Sequence, residues 1–219
     1  MRREHSWAGL LSYNWRMETI ASLPLTEMLT RLGSKEPAPG GGAAAAVVGA
    51  ISAGLASMVV AYSIDKKSLA EHREKLSTAS SLLVEIRTKL LEFADKDAEA
   101  YAGLNELWSL PKDDPKRVEK WDSALDLAIM VPLGIMEAGS ELMNVYEKIA
   151  PISNPNLHSD LASAAAMCHA SVISAGHSVR VNAEMLEDAG RKAEVLDDLQ
   201  RRIENAVDKL VTVEEACEV

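Results

Sequence analysis

One aspartate stands where helical geometry turns it toward an apolar face. Leu83, Ile86, Leu90, Ala94, Asp97, Tyr101, Leu104 and Trp108 follow one another at steps of three or four residues, the period of a single α-helical stripe. Asp97 therefore shares the face that should meet a core, whereas Asp95 lies about 200° round the same helix. A carboxylate drawn toward a core loses hydration. It must either pair with a cation on a neighbouring helix or carry a raised pKa, and a carboxyl of the second kind suits general-base chemistry.

A second polar row reads Asp160, Ala164, Met167, Ser171, Ser174, Ser178 and Asn182. A face this small and polar either lines a pocket or admits a closely packed helix. Asp160 falls in a first helical turn, where the helix dipole favours an anion, so capping is its structural alternative. The third feature is the run Gly40, Gly41, Gly42 ahead of an uncharged helix. Glycines at a helix N-terminus leave amide donors unobstructed for a carboxylate or phosphate, and they equally serve a tight turn. No Lys-Ser or Lys-Thr pair follows at P-loop spacing. The five histidines form no HxxxH pair, and Cys168 and Cys217 stand in no CxxC or zinc spacing, so no metal is expected.

Positioning these residues requires helices. The walk along the chain predicts a helix over 17–32 ending at Gly33. A central helix follows over 40–64, then a long one over 68–108 whose stripe begins at Leu76. Another runs over 115–150, broken or kinked at Pro132. The last two are a small-residue helix over 159–189 ending at Gly190, and an amphipathic one from Arg191 to about Glu215. In the central helix Val47, Val48, Ile51, Leu55, Met58, Val59 and Tyr62 make one stripe. Gly42, Ala46, Gly49, Ala50, Ala53 and Ser57 make a second, which invites close helix packing. The segment is long enough to span a bilayer, yet its Ala, Gly and Ser content favours a buried core helix over a membrane span. The expected class is all-α, a bundle of long antiparallel helices. Residues 1–16 read as an N-terminal extension, with Met17 an alternative start, and 17–219 as one helical domain.

The chain has 219 residues, 33 acidic against 23 basic side chains and a formal charge of -10. That balance, with a single Phe, four Tyr and four Trp, argues against a nucleic-acid partner. Two cysteines and no signal-peptide pattern fit a reducing cytoplasm.

Three stretches in order, PAPGGGAAAAVVGAISAGLASMVV, DKDAEAYAGLNELWSLPKD, and NPNLHSDLASAA with SVRVN, resemble the formiminotransferase-cyclodeaminase family. Some single-domain members of that family act as methenyltetrahydrofolate cyclohydrolases. The resemblance spans about residues 25–210. It implies an all-helical fold that dimerises through long helices, folate bound near the glycine loop, and a proton acceptor in the DxDAEA(F/Y) motif.

Facing geometry selects Asp97 for that role and leaves Asp95 to substrate binding. Asp160, after Ser159, is then assigned to orienting Asp97 or a bound water. Gly40, Gly41 and Gly42 with Lys66, Lys67 or Arg180 are assigned to the anionic glutamate tail, and Ser159 and Asn182 to further substrate contacts. Ser178 stands where the family usually has Asn, and Asp65 where it usually has a small residue. The implied activity is hydrolysis of 5,10-methenyltetrahydrofolate or deamination of 5-formiminotetrahydrofolate. Hydrolysis is favoured because no formiminotransferase half is present in the sequence. Tetrahydrofolate is the only carrier implied, with no further cofactor, and a homodimer is expected. The alternative is a non-catalytic helical folate-binding or assembly protein.

Overall fold

The computed structural model describes residues 19–218. The extension assigned to 1–16 and the alternative start at Met17 lie outside them. The elements in order are α1 Leu25–Leu32, α2 Gly41–Ile64, α3 Arg73–Trp108, α4 Pro115–Ile149, α5 His158–Ala183 and α6 Ala189–Ala216, joined by short 3-10 turns. The all-α class expected from periodicity is what forms.

Helix α2 lies against α3 and α5, with α4 behind and α6 closing the far side against α4 and α5. Cross-helix contacts set the directions. Asp97 meets Ala43 while Leu90 meets Gly49, so α3 runs antiparallel to α2. Ser171 bonds Ala45 while Ala164 bonds Ser52, so α5 does the same. Arg202 with Glu137, Asn205 with Ser140 and Lys209 with Asn144 share one sequence offset, which makes α4 and α6 parallel.

The packing of α2 inverts the usual rule. Its small residues Gly42, Ala46, Gly49, Ala50 and Ala53 are buried. A Cβ on Gly49 would meet Ser171 Oγ at 2.8 Å and a Leu90 methyl at 3.2 Å. Backbones this close gain dispersion contacts along the whole helix. Its larger side chains divide: Val47, Leu55 and Met58 pack against the core while partly exposed. Of the predicted hydrophobic stripe only Val59 is fully buried, whereas Ile51 is 49% and Tyr62 68% exposed. By length and composition alone both Gly41–Ile64 and Pro115–Ile152 would cross a membrane. In the bundle, α2 buries its small-residue face.

Between α2, α4 and α5 sits a closed polar network. Ser52 Oγ donates to the Ala164 carbonyl at 2.7 Å and lies 2.7 Å from the Tyr146 hydroxyl. Cys168 Sγ donates to the Gly139 carbonyl at 3.2 Å. Burial pushes the Cys168 thiol up to about 12. Burial, with Cys168 beside it, also holds Tyr146 well above the ordinary phenol range.

Several expected boundaries move. Pro24 caps α1, so the predicted 17–32 helix divides into a 3-10 turn at Ile20–Ser22 and α1. A 3-10 segment, Lys67–His72, precedes α3. The stripe on α3 changes course after Asp97: Leu104 and Leu107 are buried, while Tyr101 and Trp108 are about half exposed.

Pro132 does not break α4, which runs through it. The proline has no amide for the Ala128 carbonyl, and Asn182 Nδ2 on α5 donates to that oxygen at 2.6 Å instead. Gly190 is not a stop signal either. Helix α5 ends at Ala183, and Gly190 lies in the first turn of α6, where Asp188 caps the amides of Gly190 and Arg191. An Asp N-cap outweighs a glycine that follows it.

Candidate functional site

Asp97 reaches the N-terminal mouth of α2. The first amides of any helix lack intrahelical partners, and here the Ala43 N–H donates to Asp97 Oδ2 at 2.8 Å. The local sequence makes that approach possible. A Cβ on Gly42 would lie 2.5 Å from the Asp97 carboxyl carbon and 2.7 Å from Oδ2, so a side chain there would displace the carboxylate from this position. Gly40 and Gly41 have nothing within 4 Å of such a position, which leaves the mouth open beside the carboxylate. The amides of Gly41 and Gly42 take no partner among the described residues, and they add the positive end of the α2 dipole.

No Lys, Arg or His pairs with Asp97 among the described residues, so the salt-bridge alternative is not what the fold builds. Burial pushes its carboxyl above the usual carboxylate range, and the Ala43 amide opposes that only in part. The result is a shielded carboxylate with one hydrogen bond and free acceptor capacity. Such a group can take a proton or stand beside a developing cation.

Asp95, two residues earlier, is occupied. Its Oδ1 accepts the Ile20 N–H at 2.6 Å, which fastens the segment ahead of α1 to α3. The polar row on α5 resolves into both of its alternatives. Ser171 is buried and bonds the Ala45 carbonyl at 2.6 Å, which is packing. The same register carries Ser174 and Ser178 level with the glycine mouth, where Ser174 is exposed and Ser178 half-buried. Asn182 is turned to α4 by its bond to Ala128, and Arg180 is exposed at the same end of the bundle.

The remaining predicted residues do not join this group within one chain. Asp160 sits in the first turn of α5 beside exposed Ser159. The α2–α5 register places it level with Ala56, about 20 Å down the axis from Gly42. Asp97 and Asp160 are therefore not a facing pair. Lys66 and Lys67 follow the C-terminal end of α2, about 35 Å from the mouth. There Lys66 Nζ donates to Asn154 Oδ1 at 2.6 Å, and the Asn154 amide donates to Ser63 Oγ at 2.8 Å. Sequence reasoning missed Asn154, although Asn directly before Pro155 is an N-cap signature. It also missed the Ala43 amide, which no side-chain pattern can announce.

The depression between α4 and α6, which includes Glu137, Asp198, Arg201 and Arg202, holds charges already spent on one another. Arg202 binds Asp198 at 2.7 Å and Glu137 at 2.5 Å.

Known proteins resemble the chain in sequence and fold. The family model described as formiminotransferase-cyclodeaminase matches residues 24–201. The chain is 35% identical over 176 residues to a methenyltetrahydrofolate cyclohydrolase of Methylorubrum extorquens, covering 78% of this chain and 85% of that protein. It is 29% identical over 196 residues to the formimidoyltransferase-cyclodeaminase of Sus scrofa, of whose length it spans 36%. Among solved structures, the formiminotetrahydrofolate cyclodeaminase of Thermotoga maritima superposes with a TM-score of 0.83 at 27% identity, covering 91% of this chain and 98% of that one. Fold, motif order and extent of match agree: the chain belongs to the formiminotransferase-cyclodeaminase family.

Proposed function

We propose that this chain is a folate-dependent one-carbon enzyme that hydrolyses 5,10-methenyltetrahydrofolate to 10-formyltetrahydrofolate. The observation that carries the proposal is the Asp97 carboxylate, shielded, without a counter-ion, and held at an open helix mouth by a single amide. The methenyl group is an amidinium-like cation, and its carbon must accept water. Asp97 accepts a proton from that water as the oxygen bonds to the carbon. The proton then passes to N5 as the carbon–N5 bond breaks, and the adduct's hydroxyl proton leaves to solvent, which gives the formyl group on N10. Overall one water is consumed and one proton released. The carboxylate also lowers the energy of the adjacent cation in a site with little water.

Likeness to a cyclohydrolase over most of both chains supports hydrolysis, and likeness to the Thermotoga cyclodeaminase supports the sister reaction, in which N10 attacks a formimino carbon and ammonia leaves. The folate's glutamate tail is assigned to the cationic residues, with tetrahydrofolate the only carrier and no metal required. The working form is a cytoplasmic homodimer with no membrane association.

The test is a spectrophotometric assay with each folate offered separately. Loss of the methenyl absorbance shows hydrolysis, and its appearance from the formimino compound shows deamination. No change in either, with tight folate binding, replaces the enzyme reading with a binding protein.

A further inference from the structure

Asp95 and Asp97 hold the two ends of one stretch of chain. Asp95 Oδ1 accepts the Ile20 N–H at 2.6 Å, and Asp97 Oδ2 accepts the Ala43 N–H at 2.8 Å. The two aspartates are about 3 Å apart along the α3 axis, so the chain between Ile20 and Ala43 leaves α3 and returns to it at one level. Round the helix they stand about 200° apart. Helix α4 occupies one of the flanks between them, where Phe93 lies against Gly134 and Lys89 bonds Glu141. The 3-10 turn Ile20–Ser22 packs on α3, and the stretch that follows crosses the other flank to Gly40. It forms a strap round α3 at the height of Asp97.

The middle of this strap does little to hold it. Helix α1 buries only Met28, while Leu25 and Leu29 are 62% and 55% exposed. A segment with so few buried contacts depends on its ends for order. One end runs through buried Pro39 into α2. The other end is the bond from Ile20 to the Asp95 carboxylate, a charge-assisted contact of the stronger kind.

We infer that Asp95 is a positioning residue. By holding Ile20 it keeps the strap against α3 beside the glycine mouth, and the strap completes the shelter that the bundle alone leaves open around Asp97. In this role Asp95 acts through the strap and touches no substrate. The inference rests on the folate reading only for the reaction that the shelter serves.

Shelter is what distinguishes Asp97 from an ordinary surface acid, because no neighbouring charge stands in for it. Helix α2 carries no charge from Gly40 to Ile64. At this level α5 presents Ser174 and Ser178, with His177 and Arg180 exposed, and α4 brings Met130 and Val131. On α3 itself Lys96 and Glu99 are exposed. In the strap Glu27 is paired with Arg31 at 2.8 Å, and Lys35 and Glu36 are exposed.

The test follows the pH titration of the isotope-labelled Asp97 carboxyl by NMR in folate-free protein, beside turnover of 5,10-methenyltetrahydrofolate. Ile20→Pro removes the amide and alters no charge. Proline suits the first position of a helical turn, and Thr19 before it already has the extended backbone, φ -68° and ψ 150°, that a following proline favours. The Asp97 midpoint should fall toward the ordinary 3.8. Turnover should fall by up to about 10²-fold, in kcat more than in KM, as for a reacting group misplaced by about 1 Å. Helix content by circular dichroism should hold. Asp95→Ala should lose turnover in the same way, and Asp95→Asn, which keeps an acceptor for the Ile20 amide, should recover most of it. An Asp97 midpoint unchanged in Ile20→Pro overturns the inference. So does Asp95→Asn as impaired as Asp95→Ala, which would make the carboxylate itself a substrate contact. Wild-type protein that turns over neither folate, while the midpoint still falls in Ile20→Pro, overturns the folate reading and leaves the strap and its anchor in place.

Discussion

The carboxylate of Asp97 fills the volume that a side chain on Gly42 would need. The two residues are one feature seen from two helices, and a methyl group is enough to separate them. Gly42→Ala improves local helix propensity yet drives Asp97 from the Ala43 amide. Turnover is expected to fall by about 10²-fold or more, the scale of a lost general base. Helix content by circular dichroism should stay near wild type. Full activity in Gly42→Ala would remove Asp97 from the mechanism.

Asp97→Asn separates catalysis from stability. Activity should drop by roughly 10²–10⁴-fold. In the wild type the rate should fall on the acid side at a pH above the ordinary carboxylate value of 3.8, because burial raises this group. The sign for stability is opposite to that of a salt-bridged acid. The folded state holds the proton more tightly than the unfolded chain, so wild-type stability falls as pH rises from 3.8 through the folded pKa. The Asn variant, free of that cost, should melt at or above the wild-type temperature at pH 7, with the advantage vanishing in acid. A lower melting temperature at pH 7 counts against a buried, unpaired charge.

The Ser52 network predicts an asymmetry. Tyr146→Phe leaves Ser52 bonded to the Ala164 carbonyl and should cost about 1 kcal/mol. Ser52→Ala strands a fully buried phenol, since Ser52 is its hydrogen-bond partner here, and should cost more, about 1–3 kcal/mol. Urea titrations of the two variants decide the order.

Asn182 and Pro132 should be energetically coupled. With the proline in place, Asn182→Ala leaves the Ala128 carbonyl without its donor, at about 1–3 kcal/mol. In a Pro132→Ala background residue 132 regains an amide, and the same change should cost markedly less. A double-mutant cycle with no coupling would show that Asn182 acts elsewhere.

Much of this was legible because helical periodicity and punctuation are local. The face of Asp97, the break at Gly33, the long α3 and the glycine entry to α2 all follow from spacing, and the motif order pointed to the family. What escaped reading depended on other helices. Pro132 was expected to interrupt α4 because its lost bond is visible in sequence, whereas the compensating amide lies far along the chain on α5. Gly190 resembled a stop because the cap at Asp188 two residues earlier outranks it. The small-residue stripe of α2 was legible as a face for close helix approach, and that face is buried, whereas the exposure of Ile51 and Tyr62 on the bulky stripe depends on which helices come to rest beside it. Asp160 was grouped with Asp97 by chemistry, and only the antiparallel register of α2 and α5 separates them.

The sulfur chemistry of the chain has a physiological corollary. With the Cys168 thiol pushed up to about 12 and Cys217 also buried and raised, neither presents a thiolate for peroxide to convert to a sulfenic acid. Turnover should therefore persist under oxidative stress that halts cysteine-dependent enzymes.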